Sequence, residues 1–250
     1  MSVLLLRLSG PLQSWGSASR FARRATQQVP TKSGVLGLLA AAQGRDREHD
    51  LTDLARLEFG VRVDQPGTRV RDFQTARHLD TGKAMPISER YYLADAVFVA
   101  GVRGELPLIQ ALYEALHDPV FLPFLGRRSC PPSRPLTMGP PIDTRLEGAL
   151  RQAEWQAAPW YREGFRDATR TRRAVVGTPD TLELLLDCPP AERPDVTAHD
   201  LPVSFSPTHR RYAPRPIRTL DVPVPGRAGA ADPVPHDPTP HLRPLTPRTD

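Results

Sequence analysis

Lysine is almost missing from this chain: Lys32 and Lys83 are the two present, and the other 31 of 33 basic residues are arginines. A genome that favours arginine codons produces the same bias, so the net charge of +5 does not by itself identify a polyanionic partner. Cysteine is as scarce. Cys130 and Cys188 give no disulfide framework and do not stand at metal-ligand spacing. None of the seven histidines, His49, His78, His117, His199, His209, His236 and His241, forms an H-x-x-x-H pair, so no metal and no cofactor is expected. Long apolar runs are also absent. The run Val3 to Leu6 stops at Arg7, far short of the ~18 residues that span a bilayer. No basic segment precedes it and Gly10-Pro11 follows, which argues against a signal peptide. The expectation is a protein of the cytoplasm with no membrane partner.

One further absence is more informative. No acidic residue occurs before Asp46, yet Arg7, Arg20, Arg23, Arg24, Lys32 and Arg45 do. A second acid-free stretch, Leu201 to Leu220, carries His209, Arg210, Arg211, Arg215 and Arg218. Arginine offers phosphate a planar fork of donors and stacks on bases, so clusters of this kind suit a nucleic acid.

What is present supports a folded protein: 250 residues, 39% of them hydrophobic and 24% charged. Val3 to Leu8 reads as a buried strand entering the Gly10-Pro11 turn. A helix opens at Pro30-Thr31, with Thr31 or Ser33 able to cap it, and ends at Gly44. A short helix over Asp50 to Leu57 follows. Phe59, Val61 and Val63 then alternate with Gly60, Arg62 and Asp64, the period of a half-exposed strand. Residues 65–92 lack an apolar period and are too long for an ordinary loop, which predicts a projecting hairpin or functional insertion. Ala94 to Val102 is strand-like. Pro107 to His117 is a helix that stacks Leu108, Leu112 and Leu116.

A strand–helix–strand–strand–helix order is most of a ferredoxin-like unit, whose fourth strand is expected between Phe121 and Thr137. Thr181 to Asp187 is a further strand. Val203 to Phe205 and Ile217 to Val224 read as edge strands because of their prolines. After Val224 the chain is proline-rich with little to bury, and a disordered tail over 225–250 is expected.

Several segments could carry chemistry. Pro30 to Gly34 ends like a phosphate-binding loop, but Gln27 stands where its first glycine belongs. What remains is a helix N-terminus with Thr31, Lys32 and Ser33, which suits a phosphate or is simply a capped structural helix. Gly34 and Gly37 inside that helix predict close approach of another backbone, from protein or RNA. Gln13 and Trp15 follow a tight turn, and the indole reads either as a core lid or as a stacking platform for a base. Gly126-Arg127-Arg128-Ser129-Cys130 is a basic turn that could approach phosphates or bridge two parts of the protein. Cys130 reads as a buried thiol, since no histidine is near it in sequence. His78, Lys83, Tyr91 and Tyr92 could serve a metal-independent ribonuclease as acid and base, or form an RNA-contacting loop.

Five blocks carry a resemblance: LRLSGPLQSWG at 6–16, PTKSGVLGLLAAAQG at 30–44, RDFQT at 71–75, ERYYLADAVF at 89–98 and FLGRRSCPPSRPL at 124–136. In this order they resemble the CasD family, subunits of the type I-E CRISPR Cascade complex. The resemblance implies an α+β protein with a ferredoxin-like domain of the RAMP (RRM-like) superfamily over 1–136. It implies a thumb insertion at 65–92 and a smaller β-rich part over 137–224. The implied role is non-catalytic: capping the 5′ handle of the CRISPR RNA in antiviral defence, beside the backbone and large subunits. Target DNA would be met only through the assembled complex. Relatives of another subtype cut precursor RNA, which is the alternative. By motif, Arg90 and Tyr91 fall where the thumb meets RNA. Gln13, Trp15, Thr31, Lys32, Ser33, Arg71, Arg127, Arg128 and Ser129 fall in the other blocks. Arg20, His78, Arg210 and Arg211 are added from the basic clusters and the insertion. A stand-alone repressor or RNA chaperone would suit the charge, but the chain shows no helix-turn-helix.

Overall fold

The structure, a computed structural model, describes residues 1–16, 23–163, 181–206 and 210–226. The first strand, β1 (Ser2–Ser9), is apolar along its length because both of its faces are covered. Leu4, Leu6 and Leu8 face one hydrophobic cluster, while Val3 and Leu5 face another. The first cluster lies beneath α1 (Lys32–Ala42) and α3 (Leu106–His117), and the second beneath α4 (Leu146–Gln152). Between them runs a six-stranded antiparallel sheet. Its order is β1, β7 (Val97–Gly104), β4 (Glu58–Gln65), β8 (Thr181–Asp187), β10 (Arg211–Pro223) and β9 (Val196–Ser204). A short α2 (Thr52–Ala55) precedes β4.

The sheet departs from the sequence reading in four places. The alternating polar positions of β4 are not exposed: Arg62 is 0% and Asp64 1% exposed. They form a buried ion pair, with Arg62 Nε to Asp64 Oδ1 at 2.6 Å and Nη2 to Oδ2 at 2.9 Å. Arg62 spends its remaining donors on the carbonyls of Leu150, Ala153 and Glu154, so the charge is satisfied beneath α4. The expected fourth strand lies slightly later. Residues 136–142 run along the free edge of β1 through isolated antiparallel bridges, Leu6 to Thr137 and Val3 to Ile142. Pro135, Pro140 and Pro141 have no N–H to extend that ladder.

The boundary expected at residue 136 does not divide the sheet, since β8 pairs directly with β4 through Gly60–Leu186 and its neighbours. Finally, β10 begins earlier than expected, at Arg211, and its first half pairs with β9, while Arg218 to Pro223 pair with β8 alone, as an edge stretch does. Its Pro214 and Pro216 are tolerated because β8 pairs with β10 only from Ile217 onward, leaving β9 as their sole neighbour. The tail expected to be disordered lies outside the described residues from 227 onward.

A second, smaller sheet is centred on β6 (Ser88–Ala94). Along one edge lies β5 (Thr68–Gln74), antiparallel; along the other lie β2 (Leu12–Gln13), antiparallel, and β3 (Arg23–Arg24), parallel. Thus the 65–92 segment is a β5–β6 hairpin. Its tip is exposed from residue 75 to residue 87 and leaves Phe73, Leu79, Met85 and Ile87 in solvent.

Candidate nucleic-acid interface

Of the candidate residues, Arg71, Arg90, Tyr91 and Arg127 gather at β6, and its register sorts them by face. Residues directly opposite one another across strands share a face. Arg71 is opposite Tyr91, Arg69 opposite Leu93, and Arg23 opposite Glu89. On that face the Tyr91 ring is flanked by two guanidiniums, Arg23 at 5.4 Å and Arg69 at 5.8 Å from its centroid. Both lie within cation–π reach. Arg23 Nη2 donates to the Tyr91 hydroxyl at 3.4 Å, and that hydroxyl donates to Glu89 Oε2 at 3.4 Å. Arg71 Nη1 reaches Glu89 Oε1 at 3.5 Å. Three arginines thus surround a partly exposed aromatic ring, with Arg71 alone paired to the Glu89 carboxylate, an arrangement that offers both a stacking plane and donors for phosphate.

On the opposite face Tyr92 is covered, although Arg24 and Asp72 stay exposed. Tyr92 is 3% exposed, with the Arg127 guanidinium 4.6 Å from its ring centroid. Arg127 Nη2 donates to the Arg24 carbonyl at 3.0 Å. Arg90 lies opposite both Asp72 and Arg24. Arg90 Nε and Arg127 Nη1 are buried and find no hydrogen-bond partner among the described residues.

A glycine makes the approach of the Arg127 turn possible. Gly126 has φ of +83°, and a Cβ there would stand 1.7 Å from the Ser14 carbonyl oxygen. Ser14 N–H donates to Leu125 O at 3.0 Å, docking the turn on the end of β2. Gly126→Ala is therefore expected to destabilise the protein by at least about 2 kcal/mol, through a left-handed φ and a backbone clash. Thermal unfolding measures it, and an unchanged Tm would mean the turn does not dock this way.

Not all candidates reach this surface. Gln13 and Trp15 are both 0% exposed. Gln13 Nε2 donates to the carbonyls of Leu8 and Ala96, and its Oε1 accepts the Trp15 indole N–H at 3.0 Å. The indole is a core lid and not a stacking platform. Gly34 is the reason it fits, since a Cβ there would stand 2.8 Å from Trp15 Cε3; Gly37 likewise faces the Phe205 ring. The helical glycines thus admit side chains rather than a neighbouring backbone.

The helix N-terminus is filled from within. Thr31, Lys32 and Ser33 are 5%, 4% and 5% exposed. Thr31 Oγ1 caps Gly34 N–H at 3.2 Å, and Lys32 N–H donates to Asp200 Oδ2 at 2.7 Å. Lys32 Nζ pairs with Asp187 Oδ2 at 2.8 Å. An internal carboxylate therefore takes the place that the sequence reading gave to a phosphate.

Of the rest, Arg128 and Ser129 are exposed beside Arg127. Arg210 and Arg211 are exposed where β10 begins, beside edge strand β9 and in a different sheet from β6. His78 sits at the hairpin tip, its Nδ1 accepting the N–H groups of Asp80 and Thr81. Arg20 and His209 lie outside the described residues. Cys130 is 1% exposed, and burial pushes its thiol above the ordinary value, disfavouring the reactive thiolate. Among the described residues no group of three or more His, Cys, Asp or Glu could hold a metal ion. Among the same residues no helix is long and apolar enough to cross a membrane.

Sequence reasoning passed over Arg69 as a site residue, although alternation places Arg69, Arg71 and Phe73 on one side of a strand. It counted Arg23 only within a basic cluster. The parallel pairing of β3 with β6 brings that residue to Tyr91, and no local pattern announces it.

Known proteins share this architecture. The family model for CRISPR-associated protein (Cas_Cas5) matches residues 3–218. The CRISPR system Cascade subunit CasD of Escherichia coli (strain K12) is 36% identical over 160 residues, 55% of this chain and 70% of that protein. A solved structure described as a crystal structure of a Cas protein is 38% identical, with a TM-score of 0.66 over 89% of this chain and 95% of that one. A chain of a CRISPR RNA-guided surveillance complex is 31% identical, with a TM-score of 0.64 over 90% of this chain and 95% of that one. With a family match across most of its length and relatives of this identity, the chain belongs to the Cas5 family of CRISPR-associated proteins.

Proposed function

We propose that this chain is a non-catalytic, CRISPR RNA-binding subunit of a type I-E Cascade complex that caps the 5′ handle of the guide RNA. The observation that carries the reading is the partly exposed Tyr91 ring between Arg23 and Arg69. Single-stranded RNA presents splayed bases and phosphates, and an aromatic plane bordered by guanidiniums suits both. The likeness to a chain of an RNA-guided surveillance complex supports the same setting. In that setting the hairpin is the thumb, and its exposed Leu79, Met85 and Ile87 face the neighbouring backbone subunit. The large subunit is the other protein partner. Target DNA is met through base pairing with the guide, and the assembly works in the cytoplasm. A ferredoxin-like RAMP core is supported by the order of residues 136–142, β1, β7 and β4, with α1 and α3 on one face.

The test is binding of labelled handle RNA by fluorescence anisotropy across a salt series. Each phosphate contact to a single strand contributes roughly 0.7 to the log–log slope. Arg23→Ala and Arg69→Ala should each weaken binding and flatten the slope by about that much. Arg47→Ala, at an exposed position between α1 and α2, should do neither. Handle RNA bound no better than an unrelated strand of equal length, with slopes unmoved in both variants, would end the proposal. The same RNA should stay intact in magnesium and in EDTA. A single specific cut, lost in His78→Ala, would make the chain a metal-independent endoribonuclease instead.

A further inference from the structure

A cavity of about 620 Å³ opens at the foot of the hairpin, away from the Tyr91 cluster. Its floor is the end of β1, where Arg7 and Ser9 point to the face opposite α1 and α3. One wall is the Gly10-Pro11 turn with Asp95, tied together by the Asp95 N–H to Pro11 O bond at 3.2 Å. The other wall is the segment from Glu154 to Glu163. That wall is fixed by buried groups: Gln156 N–H donates to Asp64 Oδ2 at 2.6 Å, Ala158 N–H to Gln65 Oε1 at 2.9 Å, and the Trp155 indole to Asp64 O at 2.9 Å. The cavity is therefore built into the fold.

Its chemistry is unusual for a structural gap. Arg7 donates from Nη1 to Gln156 Oε1 at 3.0 Å, and its buried Nε has no partner among the described residues. Burial and the neighbouring Arg134 both disfavour the charge on Arg7, with Glu154 acting in the opposite sense. Trp160, 60% exposed, lines the same cavity. The cavity is not simply basic, because Glu154, Glu163 and Asp95 balance Arg7, Arg134 and Arg162. A bare phosphate would use only half of that set. A nucleotide would use all of it: phosphate oxygens on the arginines, a base against the indole, and amino or imino groups of the base donating to a carboxylate. The volume falls inside the range of roughly 300–1,000 Å³ typical of small-ligand sites.

We propose that this cavity binds one nucleotide whose base carries hydrogen-bond donors, with its phosphate on Arg7 and Arg134 and its base on Trp160. That the nucleotide belongs to an RNA strand rests on the RNA-binding role proposed above. The test is calorimetric titration of the full chain with guanosine 5′-monophosphate, guanosine and inorganic phosphate, beside handle-RNA binding in the same buffer. The monophosphate should bind at least tenfold more tightly than either fragment. Arg7→Gln should weaken it about tenfold, and Trp160→Ala, a surface change that spares the fold, about fivefold or more. Phosphate alone binding as well as the nucleotide would overturn the proposal, as would nucleotide affinity unchanged in both variants. Handle RNA binding without nucleotide binding removes the cavity and leaves the proposed function. Nucleotide binding without handle RNA binding keeps the cavity and removes that function.

Discussion

Replacing Arg215 with alanine should lower the melting temperature by roughly 6–20 °C, from a loss of about 3–5 kcal/mol at about 2–4 °C per kcal/mol for a chain of this size. Arg215 lies on β10 and is 7% exposed. Its Nε and Nη2 hold both oxygens of Asp200 on β9 at 2.7 and 2.9 Å, and its Nη1 holds Asp187 on β8 at 2.8 Å. The same two carboxylates take Lys32 N–H, Lys32 Nζ and Phe59 N–H, so one guanidinium ties three strands of the sheet to the start of α1 and to β4. Burial pulls the Arg215 pKa down, but the Asp200 and Asp187 carboxylates outweigh it and hold the guanidinium above its ordinary value. With Arg215 removed, Lys32 alone faces two carboxylates, and an unpaired buried charge is the costly outcome. Arg215→Lys should recover only part of the loss, since a compact ammonium cannot span both acids as a planar fork does. Circular dichroism melts decide this. A drop under about 2 °C in Arg215→Ala would show that the network relaxes into solvent and does not anchor the C-terminal strands.

The same network shows what the sequence could and could not disclose. β1, α1 and α3 were legible because their signals are local: an apolar run, a capping threonine, leucines at helical spacing. The reading of Thr31, Lys32 and Ser33 as a phosphate site was sound chemistry for an open helix end. It failed because Asp200, 168 residues along the chain from Lys32, already fills that end. Nothing near Lys32 in sequence signals the distant acid. Arg62 and Asp64 failed for a related reason. Charges alternating along a strand normally mark a wet face, and only the carbonyls of residues 150, 153 and 154, brought by α4, make a dry one possible. α4 itself, seven residues long, is too short to set up a detectable apolar period. The candidate surface was legible at Tyr91 and Arg71, which lie in quoted motifs. It was illegible at Arg23, which reaches Tyr91 only through a two-residue parallel pairing.

That pairing makes Tyr91 the residue on which RNA affinity should depend most. Tyr91→Ala removes the aromatic plane, and stacking of one base is worth about 1–3 kcal/mol, or roughly 5- to 150-fold in affinity. Tyr91→Phe keeps the plane and loses only the long 3.4 Å contacts of the hydroxyl with Arg23 and Glu89, so it should bind within about twofold of the parent. The salt series then separates this residue from its neighbours. Tyr91 carries no charge to a phosphate, so Tyr91→Ala should shift the whole line of log affinity against log salt downward and leave its slope unchanged. Arg23→Ala and Arg69→Ala should tilt the line instead. A flatter slope in Tyr91→Ala would mean that the ring only positions the two guanidiniums. If the phenylalanine variant loses as much as the alanine variant, the hydroxyl and not the ring is what RNA uses. If both variants bind like the parent, the β6 face is not the interface.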